Sequence, residues 1–513
     1  MFEAPAIWLG AWWVLWLGQA LWCWYNVNQF TRRMAKQGKR RMDKPIKFDP
    51  SAVVIVPVKG AGADLADHAR AILAQGFEKY RVVFVVESEA DAAHAVLTEV
   101  VAGHGGHGAK AAAVIVAGLA EAEGQKVHNL RAGLAAVTEA DDVVVFADAD
   151  AVPDAEWLGR IVWPLSKPKV GATTGYRWLV PADEGLPSKL ASVINSSVAT
   201  LLGPPRRNFA WGGSMAAKRA MLRQVQLDDA WQGALSDDYQ LTRAMARTGQ
   251  HVYFVMRCLV ASPARHSWSS LLEFGRRQYL ITRVHAPWIW VIALAGGVLY
   301  LGGWLTVAAT AALGRAGWGW AIAAAAVVMI ADTQRARFRR RAVEAVFDEA
   351  TVSRLRPALR LDRWATPLVM AVHLLIVLSS AVGRTFRWGG VTYRLGVAGV
   401  CGSSSGRPDM AAAALLNWPR RCQEQPRMNE ASTRFRAGRR VRVTQQIPQR
   451  DGDCWTIQTE GVVVRYEQAK TGSWYAHAKD ERLWLDRLVL RRDDGEHVVL
   501  NLDRYTQIEE LGA

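Results

Sequence analysis

Cysteine is scarce in this chain, and the few cysteines show no pattern. The 513 residues contain five, which are scattered and never form a Cys-x-x-Cys pair. This distribution argues against a disulfide framework and against a zinc site built on thiolates. Acidic residues are also in the minority, at 47 against 63 lysines and arginines, so the net charge is +16. Such a balance suits either nucleic acid or an anionic lipid surface as a partner.

The position of the basic residues favours the lipid surface over nucleic acid. One basic cluster, Arg32 to Lys47, directly follows an apolar segment over residues 6–27 that is long enough to cross a bilayer. A second cluster, Arg335 to Arg341, follows another apolar stretch. Basic residues beside apolar segments are typical of cytoplasmic loops. We therefore predict an integral protein of the inner or plasma membrane, with an N-terminal anchor and a cytoplasmic domain.

Residues 51–286 have the pattern of an α/β domain. Four apolar runs predict strands, at Val53–Val58, Val82–Val86, Ala111–Val116 and Val143–Phe146. Stretches with helical periodicity separate them, and strands that alternate with helices imply parallel β-α-β units.

A second membrane region is predicted over residues 287–383. It contains three apolar segments, over 287–313, 317–331 and 364–383, with a basic interfacial stretch before the last. Three full crossings would place the C-terminal part of the chain outside, whereas the arginines after residue 383 favour the inside. The number of crossings therefore stays open.

The C-terminal part of the chain has a different pattern. After a linker over residues 400–430, residues 431–513 alternate polar and apolar residues in short runs separated by turn signals. This predicts a small, all-β, barrel-like module. Its aromatic and basic residues fit an ordinary barrel core and rim better than a nucleic-acid surface, and the sequence does not indicate a protein partner.

Two acidic pairs are the main candidates for a functional site. Asp148 and Asp150 directly follow the fourth strand, at the sheet edge where open α/β sheets bind ligands. Two carboxylates at this spacing suit a divalent cation, Mg²⁺ or Mn²⁺, that also holds phosphate oxygens, and a solvated turn is the alternative. Asp237 and Asp238 precede a helical run, where one of them could simply cap the helix.

Three further residues could contact a nucleotide. Glu87 follows the second strand, where a base or a ribose could be bound. Lys126 and Asn129 lie at the approach to a helix and could contact phosphate or ribose, although a solvated turn explains them equally well. Sugar transfer from a nucleotide diphosphate needs a cation for the leaving group and a carboxylate base for the acceptor hydroxyl, and this chain offers a candidate set for each.

In this order the motifs resemble the inverting glycosyltransferases of family 2, and most closely the ceramide glucosyltransferase branch, family 21. The matching segments are Pro57-Val58-Lys59-Gly60, Lys126-Val127-His128-Asn129-Leu130, Asp148-Ala149-Asp150 and Ser236-Asp237-Asp238-Tyr239. The resemblance covers residues 53–283 and the flanking apolar segments, but not the C-terminal module.

The resemblance implies a GT-A fold, which is a Rossmann-like nucleotide-sugar domain, and a single inverting displacement. It implies that Asp238 is the catalytic base, with Asp237 as its acidic neighbour. It further implies that Asp148 and Asp150 bind the metal-diphosphate and that Glu87 lies near the nucleotide.

On the acceptor side the chain departs from the family's pattern. Trp211, Gly212 and Ser214 fall where the family lines its acceptor site. The (Gln/Arg)-x-x-Arg-Trp motif that usually precedes the membrane is not found, and the corresponding region carries Arg277, Gln278 and Arg283. These side chains could meet the diphosphate and the acceptor. The alternative is an interfacial helix whose arginines meet lipid phosphates.

We therefore predict a membrane-bound inverting glycosyltransferase that moves a sugar, glucose by resemblance, from a UDP-sugar to a hydroxyl of a ceramide-like lipid. A processive polysaccharide synthase is one alternative, but it would need a channel of several spans. An inactive membrane scaffold with a C-terminal interaction module is the other, and the presence of all four central aspartates argues against it.

Overall fold

A seven-stranded mixed sheet is the core of the first of two compact units, Met1–Gly406 and Arg407–Ala513. Its strands in chain order are β1 (Ala52–Pro57), β2 (Tyr80–Val86), β3 (Ala111–Val116), β4 (Val143–Ala147), β5 (Val170–Pro181), β6 (Ser214–Lys218) and β7 (His251–Ala264). Their spatial order is β3-β2-β1-β4-β6-β5-β7. All neighbours pair in parallel except β6, which runs antiparallel to β4 and β5. The predicted α/β class and its four strands are confirmed.

The computed structural model describes most of the chain. The described residues are 4–39, 48–62, 64–150, 153–204, 207–313, 318–388, 391–396, 401–404, 438–448, 454–470, 477–478, 481–482, 484–502 and 506–511. Most of the predicted linker over residues 400–430 and the end of the first basic cluster, residues 40–47, lie outside them.

Helices connect and cover the strands. They are α1 (Ala4–Lys39), α2 (Leu65–Leu73), α3 (Ala92–Ala102), α4 (Gln125–Ala135), α5 (Trp157–Val162), α6 (Leu186–Ala199), α7 (Arg219–Gln224), α8 (Leu227–Trp231), α9 (Asp237–Arg247), α10 (Trp268–His285), α11 (Pro287–Ala312), α12 (Trp318–Glu344), α13 (Glu349–Trp364) and α14 (Thr366–Ser379). A 3₁₀ turn, Trp163–Ser166, follows α5.

The central strands are buried on both faces, as their unbroken apolar runs require. Every residue of β1 and of β4 is buried. Residues of α2, α3 and α5 share one core with the sheet, and residues of α4 and α9 share the core on its other face. Helices on both faces leave the strand ends as the open edge of the domain, and that edge carries the acidic residues.

The helices that cover the predicted membrane segments pack against one another. Within the described ranges, α11 is long and apolar enough to cross a bilayer, and α13 with α14 forms a second such unit that is bent by 93°. Helix α1 spans the predicted anchor and continues into the basic cluster, and Trp16 of α1 packs against Tyr300 and Val328. The predicted segment over residues 317–331 is the first half of α12.

Part of the second basic cluster is internal, in contrast to the interfacial position that the sequence suggested. Arg335 and Arg339 are buried, and Asp362 of α13 lies 2.9 Å from Arg339 Nη1 and 3.4 Å from Arg335 Nη2. Asp332 lies 3.0 Å from Arg335 Nη1. These arginines tie α12 to α13, because a buried charge is tolerated only when it is paired.

The remaining strands form smaller sheets. In the first unit they are β8 (Thr385–Trp388), β9 (Val391–Leu395) and β10 (Cys401–Ser404); in the second they are β11 (Arg440–Pro448), β12 (Cys454–Lys470), β13 (His477–Ala478), β14 (Glu481–Arg482), β15 (Trp484–Arg491), β16 (His497–Asn501) and β17 (Thr506–Glu510). An antiparallel sheet of order β16-β15-β12-β11-β17 dominates the second unit. The all-β class of the module is confirmed. Among the described residues its outer strands do not pair with each other, so barrel closure stays a prediction.

The close packing of α4 against the sheet can be tested by a substitution at Gly133, which lies in their contact. A Cβ at Gly133 would lie 2.4 Å from Ile55 Cγ2 and 3.2 Å from Val85 Cγ2. We expect Gly133→Ala to lower the free energy of unfolding by about 1–3 kcal/mol, because the core must shift to admit the methyl group. Thermal unfolding of the purified chain measures this.

The matched control is Gly159→Ala in α5, where the nearest atom to the new Cβ is Phe77 Cδ2 at 4.0 Å. This change is expected to be neutral, or stabilising by up to about 1 kcal/mol, since alanine favours the helix. Equal melting temperatures for the two variants would contradict the packing described here.

Candidate active site

The fourth strand places the first acidic pair beside the turn that precedes β6. The Asp148 backbone N–H donates to the Gly213 carbonyl over 3.2 Å, directly after the last pair of the β4–β6 ladder. The two antiparallel strands therefore bring residues 148–150 and residues 211–214 to one edge of the sheet. This is where the sequence predicted a ligand site.

A lysine joins the two acidic motifs. Lys126 lies in the first turn of α4, and its Nζ is 2.7 Å from Asp148 Oδ1 and 3.3 Å from Asp237 Oδ2. Its side chain is only 17% exposed. Burial disfavours the ammonium, but the two carboxylates outweigh it and raise the pKa of Lys126. The lysine therefore stays charged and holds two carboxylates that would otherwise repel each other.

Asp237 is the more deeply buried member of the second pair. It opens α9, its side chain is 6% exposed, and its backbone carbonyl accepts a 3.0 Å hydrogen bond from Trp231 Nε1. Burial raises the pKa of Asp237 to about 6, although Lys126 opposes this. Its Oδ2 has no hydrogen-bond donor among the described residues, and only the Lys126 ammonium faces it.

Asp238 is half-buried, and only one of its two carboxylate oxygens accepts hydrogen bonds from the described residues. Its Oδ1 accepts hydrogen bonds from the Tyr239 backbone N–H, over 2.7 Å, and from the Ser236 hydroxyl. No described residue donates to Oδ2. The helix cap is Ser236, whose hydroxyl also accepts from Tyr239 N–H. Capping is therefore not the main role of the aspartates, and Asp238 can accept a proton through Oδ2.

Two glycines make room for this ion-pair network. A Cβ at Gly212 would lie 1.9 Å from Asp237 Oδ2 and 2.7 Å from Lys126 Nζ. A Cβ at Gly213 would lie 2.2 Å from the Trp211 ring. Trp211 itself is 8% exposed and packs edge-on against Tyr176, with ring centroids 5.8 Å apart. The Trp-Gly-Gly turn thus allows the backbone to pass directly over the charged pair.

Some predicted site residues have structural partners instead. Asn129 is 2% exposed; its Nδ2 donates to the Val85 carbonyl over 3.2 Å, and its Oδ1 accepts from Gln125 Nε2. The buried Ser214 hydroxyl accepts from Trp157 Nε1 over 2.9 Å. Both side chains fix the backbone that carries the site, so their predicted contacts with ligand stay predictions.

Glu87 lies at the end of β2, two strands away from Asp148. Its carboxylate forms a bidentate ion pair with Lys59, with oxygens 2.6 and 2.8 Å from Nζ. Asp91 accepts from the Gly60 and Ala93 backbone N–H groups and caps α3. Strand spacing puts Glu87 about 10 Å from the Lys126 cluster, a distance that a nucleotide can span.

The predicted site residues of α10, Arg277, Gln278 and Arg283, have different surroundings. The Arg277 guanidinium stacks on the rings of Phe274, at 5.5 Å, and Trp388, at 4.9 Å. Arg283 instead donates to the carbonyls of Ala381 and Gly383, after the end of α14, and Gln278 is exposed. No local sequence pattern links Lys59 to Glu87, Arg177 to Asp150 or Trp388 to Arg277, so these contacts could not be predicted.

The donor set of Asp148 and Asp150 fits a divalent cation. Both offer carboxylate oxygens, the ligands that Mg²⁺ and Mn²⁺ prefer. The Asp150 side chain is 60% exposed and lies 3.6 Å from Arg177 Nη1. The described ranges contain no cluster of three or more His, Cys, Asp or Glu side chains suited to a metal. A cation that completes its shell with phosphate oxygens and water needs no third protein ligand.

A glycosyltransferase is the class of enzyme that this sheet and its acidic edge define. Residues 14–400 match glycosyl transferase family 21, and because the match covers most of the chain, the chain belongs to that family. This confirms the family that the motifs indicated. Among curated proteins, none matches the chain.

Several solved structures are similar to parts of this chain at low identity. The mannosyltransferase PcManGT from Pyrobaculum calidifontis, solved with GDP-Man and Mn²⁺, is 18% identical with a TM-score of 0.42, over 71% of this chain and 99% of that one. Glucosyl-3-phosphoglycerate synthase from Mycobacterium tuberculosis, solved with Mn²⁺ and UDP-Glc, is 16% identical with a TM-score of 0.29, over 46% and 79%. Neither likeness bears on the donor or acceptor of this chain.

Removal of the central ammonium tests the ion-pair network. We expect Lys126→Met to lower the free energy of unfolding by about 3 kcal/mol, because the buried Asp237 and the partly buried Asp148 lose their shared counter-charge. The double variant Lys126→Met/Asp237→Asn removes one of those carboxylates and should regain most of the loss. Thermal unfolding of both purified variants measures this. Wild-type stability of the single variant would show that Lys126 does not hold the pair.

Proposed function

We propose that this family 21 enzyme transfers a sugar, with glucose as the first donor to test, from a UDP-sugar to a hydroxyl of a ceramide-like membrane lipid. The observation that carries the proposal is the Lys126 bridge, since it brings Asp148 and the Asp237–Asp238 pair to one point of the sheet edge. A cation-binding carboxylate and a candidate base therefore lie within reach of one bound sugar.

The donor side is formed by the ends of β1, β2 and β4. Asp148 and Asp150 would hold Mg²⁺ or Mn²⁺, which when bound supplies positive charge to the departing diphosphate. The Lys126 ammonium adds a second, permanently placed charge beside Asp148. Glu87, which forms an ion pair with Lys59, would orient the nucleotide.

The acceptor side is formed by the start of α9. Asp238 takes the proton of the acceptor hydroxyl, and the acceptor oxygen then forms its bond to the anomeric carbon. The bond from that carbon to the diphosphate oxygen breaks, and its electron pair leaves with the nucleoside diphosphate. A single displacement of this kind inverts the anomeric configuration. Its base must be a carboxylate with an open oxygen, and both hydrogen bonds that the Asp238 carboxylate accepts end on Oδ1, which leaves Oδ2 open.

A membrane acceptor is supported by the helices that follow the domain. Helix α10, which carries Arg277, ends one residue before α11, the helix apolar enough to span a bilayer. Large apolar side chains such as Trp288, Ile292 and Leu305 are exposed on α11. Exposed apolar surface of this extent suits lipid rather than water. The basic residues from Arg32 to Lys47 in the sequence support a cytoplasmic position of the catalytic domain in this proposal.

Replacement of the candidate base tests the reaction. We expect Asp238→Asn to reduce transfer from radiolabelled UDP-glucose to ceramide by about a hundred- to ten-thousand-fold, because the amide cannot accept the acceptor proton. Product is measured by lipid extraction from membranes that contain the full chain. Asp229→Asn, an exposed position of α8, is the matched control and should keep wild-type activity. Equal activity of the two variants would remove Asp238 as the base.

Removal of the divalent cation tests whether Asp148 and Asp150 bind it. We expect EDTA to abolish transfer and Mn²⁺ or Mg²⁺ to restore it. Asp150→Asn should raise the Mn²⁺ concentration needed for half-maximal binding by more than about tenfold, since a carboxylate ligand is lost. Electron paramagnetic resonance of added Mn²⁺ measures binding without turnover. Wild-type Mn²⁺ binding by Asp150→Asn would contradict the ligand assignment.

A further inference from the structure

The loop before α4 carries a buried carboxylate. Glu123 is 5% exposed, and its Oε2 accepts a 3.1 Å hydrogen bond from the backbone N–H of Gly233. The N–H of the next residue, Gly124, donates to the Ala234 carbonyl over 2.9 Å. Both contacts join the start of α4 to the turn that precedes α9. These are two of the segments that carry the central ion pair of the site.

A histidine extends this connection to the sheet. In α4, His128 Nδ1 lies 2.8 Å from Glu123 Oε1, and its Nε2 lies 3.0 Å from the carbonyl oxygen of Ala117. Ala117 directly follows β3, so His128 links the helix to the end of a strand. Both atoms that face the imidazole are hydrogen-bond acceptors. A neutral imidazole carries one N–H, so only the protonated ring can donate to both.

The charged side chains around His128 balance when the ring is protonated. Arg131 lies 3.1 Å from Glu123 Oε2 and forms a second ion pair, over 2.9 Å, with Asp228 of α8. Glu87, at the end of the neighbouring strand β2, has a lysine partner of its own. A protonated His128 and Arg131 therefore match the two carboxylates of this group.

Loss of the proton breaks one of the two contacts of the ring. The Glu123 carboxylate stabilises the N–H at Nδ1, because an unprotonated Nδ1 would place a lone pair against a negative charge. The proton therefore leaves from Nε2, whose lone pair then faces the Ala117 carbonyl. The hydrogen bond that ties α4 to the end of β3 is lost, while the bond to Glu123 stays.

We propose that His128 and Glu123 are positioning residues that hold the start of α4, and with it Lys126, against the acidic motifs, and that they hold it best when His128 is protonated. Both act through Lys126, which lies two residues before His128. This assignment rests on the proposed function, in which Lys126 stands beside the cation ligand Asp148. UDP with Mn²⁺ should therefore bind more tightly when His128 is protonated.

Calorimetric titration of the detergent-purified full chain with UDP and Mn²⁺ tests this link across the range in which histidines titrate. We expect the wild type to bind about two- to tenfold more tightly than His128→Gln at about pH 5.5, the effect of one hydrogen bond. The ratio of the two affinities should fall toward one by about pH 8.5, since glutamine does not titrate. Asp237, whose pKa burial raises to about 6, titrates in both proteins, so the ratio isolates His128.

His107→Gln is the matched control, because it removes an exposed histidine from a loop. It should follow the wild-type affinity at every pH. Glu123→Gln, which removes the carboxylate that faces Nδ1, should flatten the same pH dependence, and it replaces His128→Gln if that variant does not fold. An affinity ratio that is the same at both ends of the pH range would contradict the proposal, because a merely structural role acts equally at every pH.

NMR of the full chain with ¹⁵N-labelled histidine tests the contact itself without any ligand, and His128→Gln assigns the signal. We expect the neutral form of His128 to carry its proton at Nδ1. A neutral form protonated at Nε2 would overturn the proposal. A chain that binds no UDP counts against the proposed function, whereas the wrong tautomer counts against the role of His128 alone.

Discussion

The ammonium of Lys126 is the interaction on which the site depends. It lies between Asp148 at the end of one strand and Asp237 at the start of α9, and it is the cation that both carboxylates contact. Without it, like charges would meet in a largely buried position. Two neighbouring residues support this contact. Gly212 leaves space for the Lys126 side chain, and Asn129 ties α4, which carries Lys126, to the end of β2 through a hydrogen bond. A buried ion pair of this kind costs stability unless its partners are held in place, and here they lie after the end of β4 and in the first turns of α4 and α9.

Asp237 and Asp238 are adjacent in the chain, but their carboxylates have different surroundings. Asp237 is buried and paired with Lys126, whereas Asp238 is half-buried and accepts both of its hydrogen bonds through Oδ1. The adjacent residues point in different directions because they occupy the first turn of a helix. A second basic residue, Arg177, lies 3.6 Å from Asp150. The acidic pair after β4 thus has a basic side chain beside each of its members, Lys126 beside Asp148 and Arg177 beside Asp150.

Local sequence patterns are sufficient for the first four strands, and for the position of one acidic pair after a strand and of the other at the start of a helix. The runs at Val53 and Val143 are apolar, short and followed by polar residues, so burial and the position of the strand ends could be read directly. Strands β5 and β7 were not predicted, because residues such as Thr173 and Arg257 interrupt their apolar pattern. The partners of the site residues were also not predicted. Lys59 with Glu87, Arg177 with Asp150 and Trp388 with Arg277 are contacts between distant segments, and spacing in the chain carries no information about them.

The central claim is that the acidic edge beside Lys126 binds the cation and diphosphate of a sugar nucleotide. The most direct measurement is an anomalous difference map from crystals of the full chain grown with Mn²⁺ and UDP. The account predicts a single strong peak within coordination distance of Asp148 and Asp150, with diphosphate oxygens beside it and the uracil toward Glu87. A nucleotide bound elsewhere, or Mn²⁺ bound away from these two carboxylates, would contradict it.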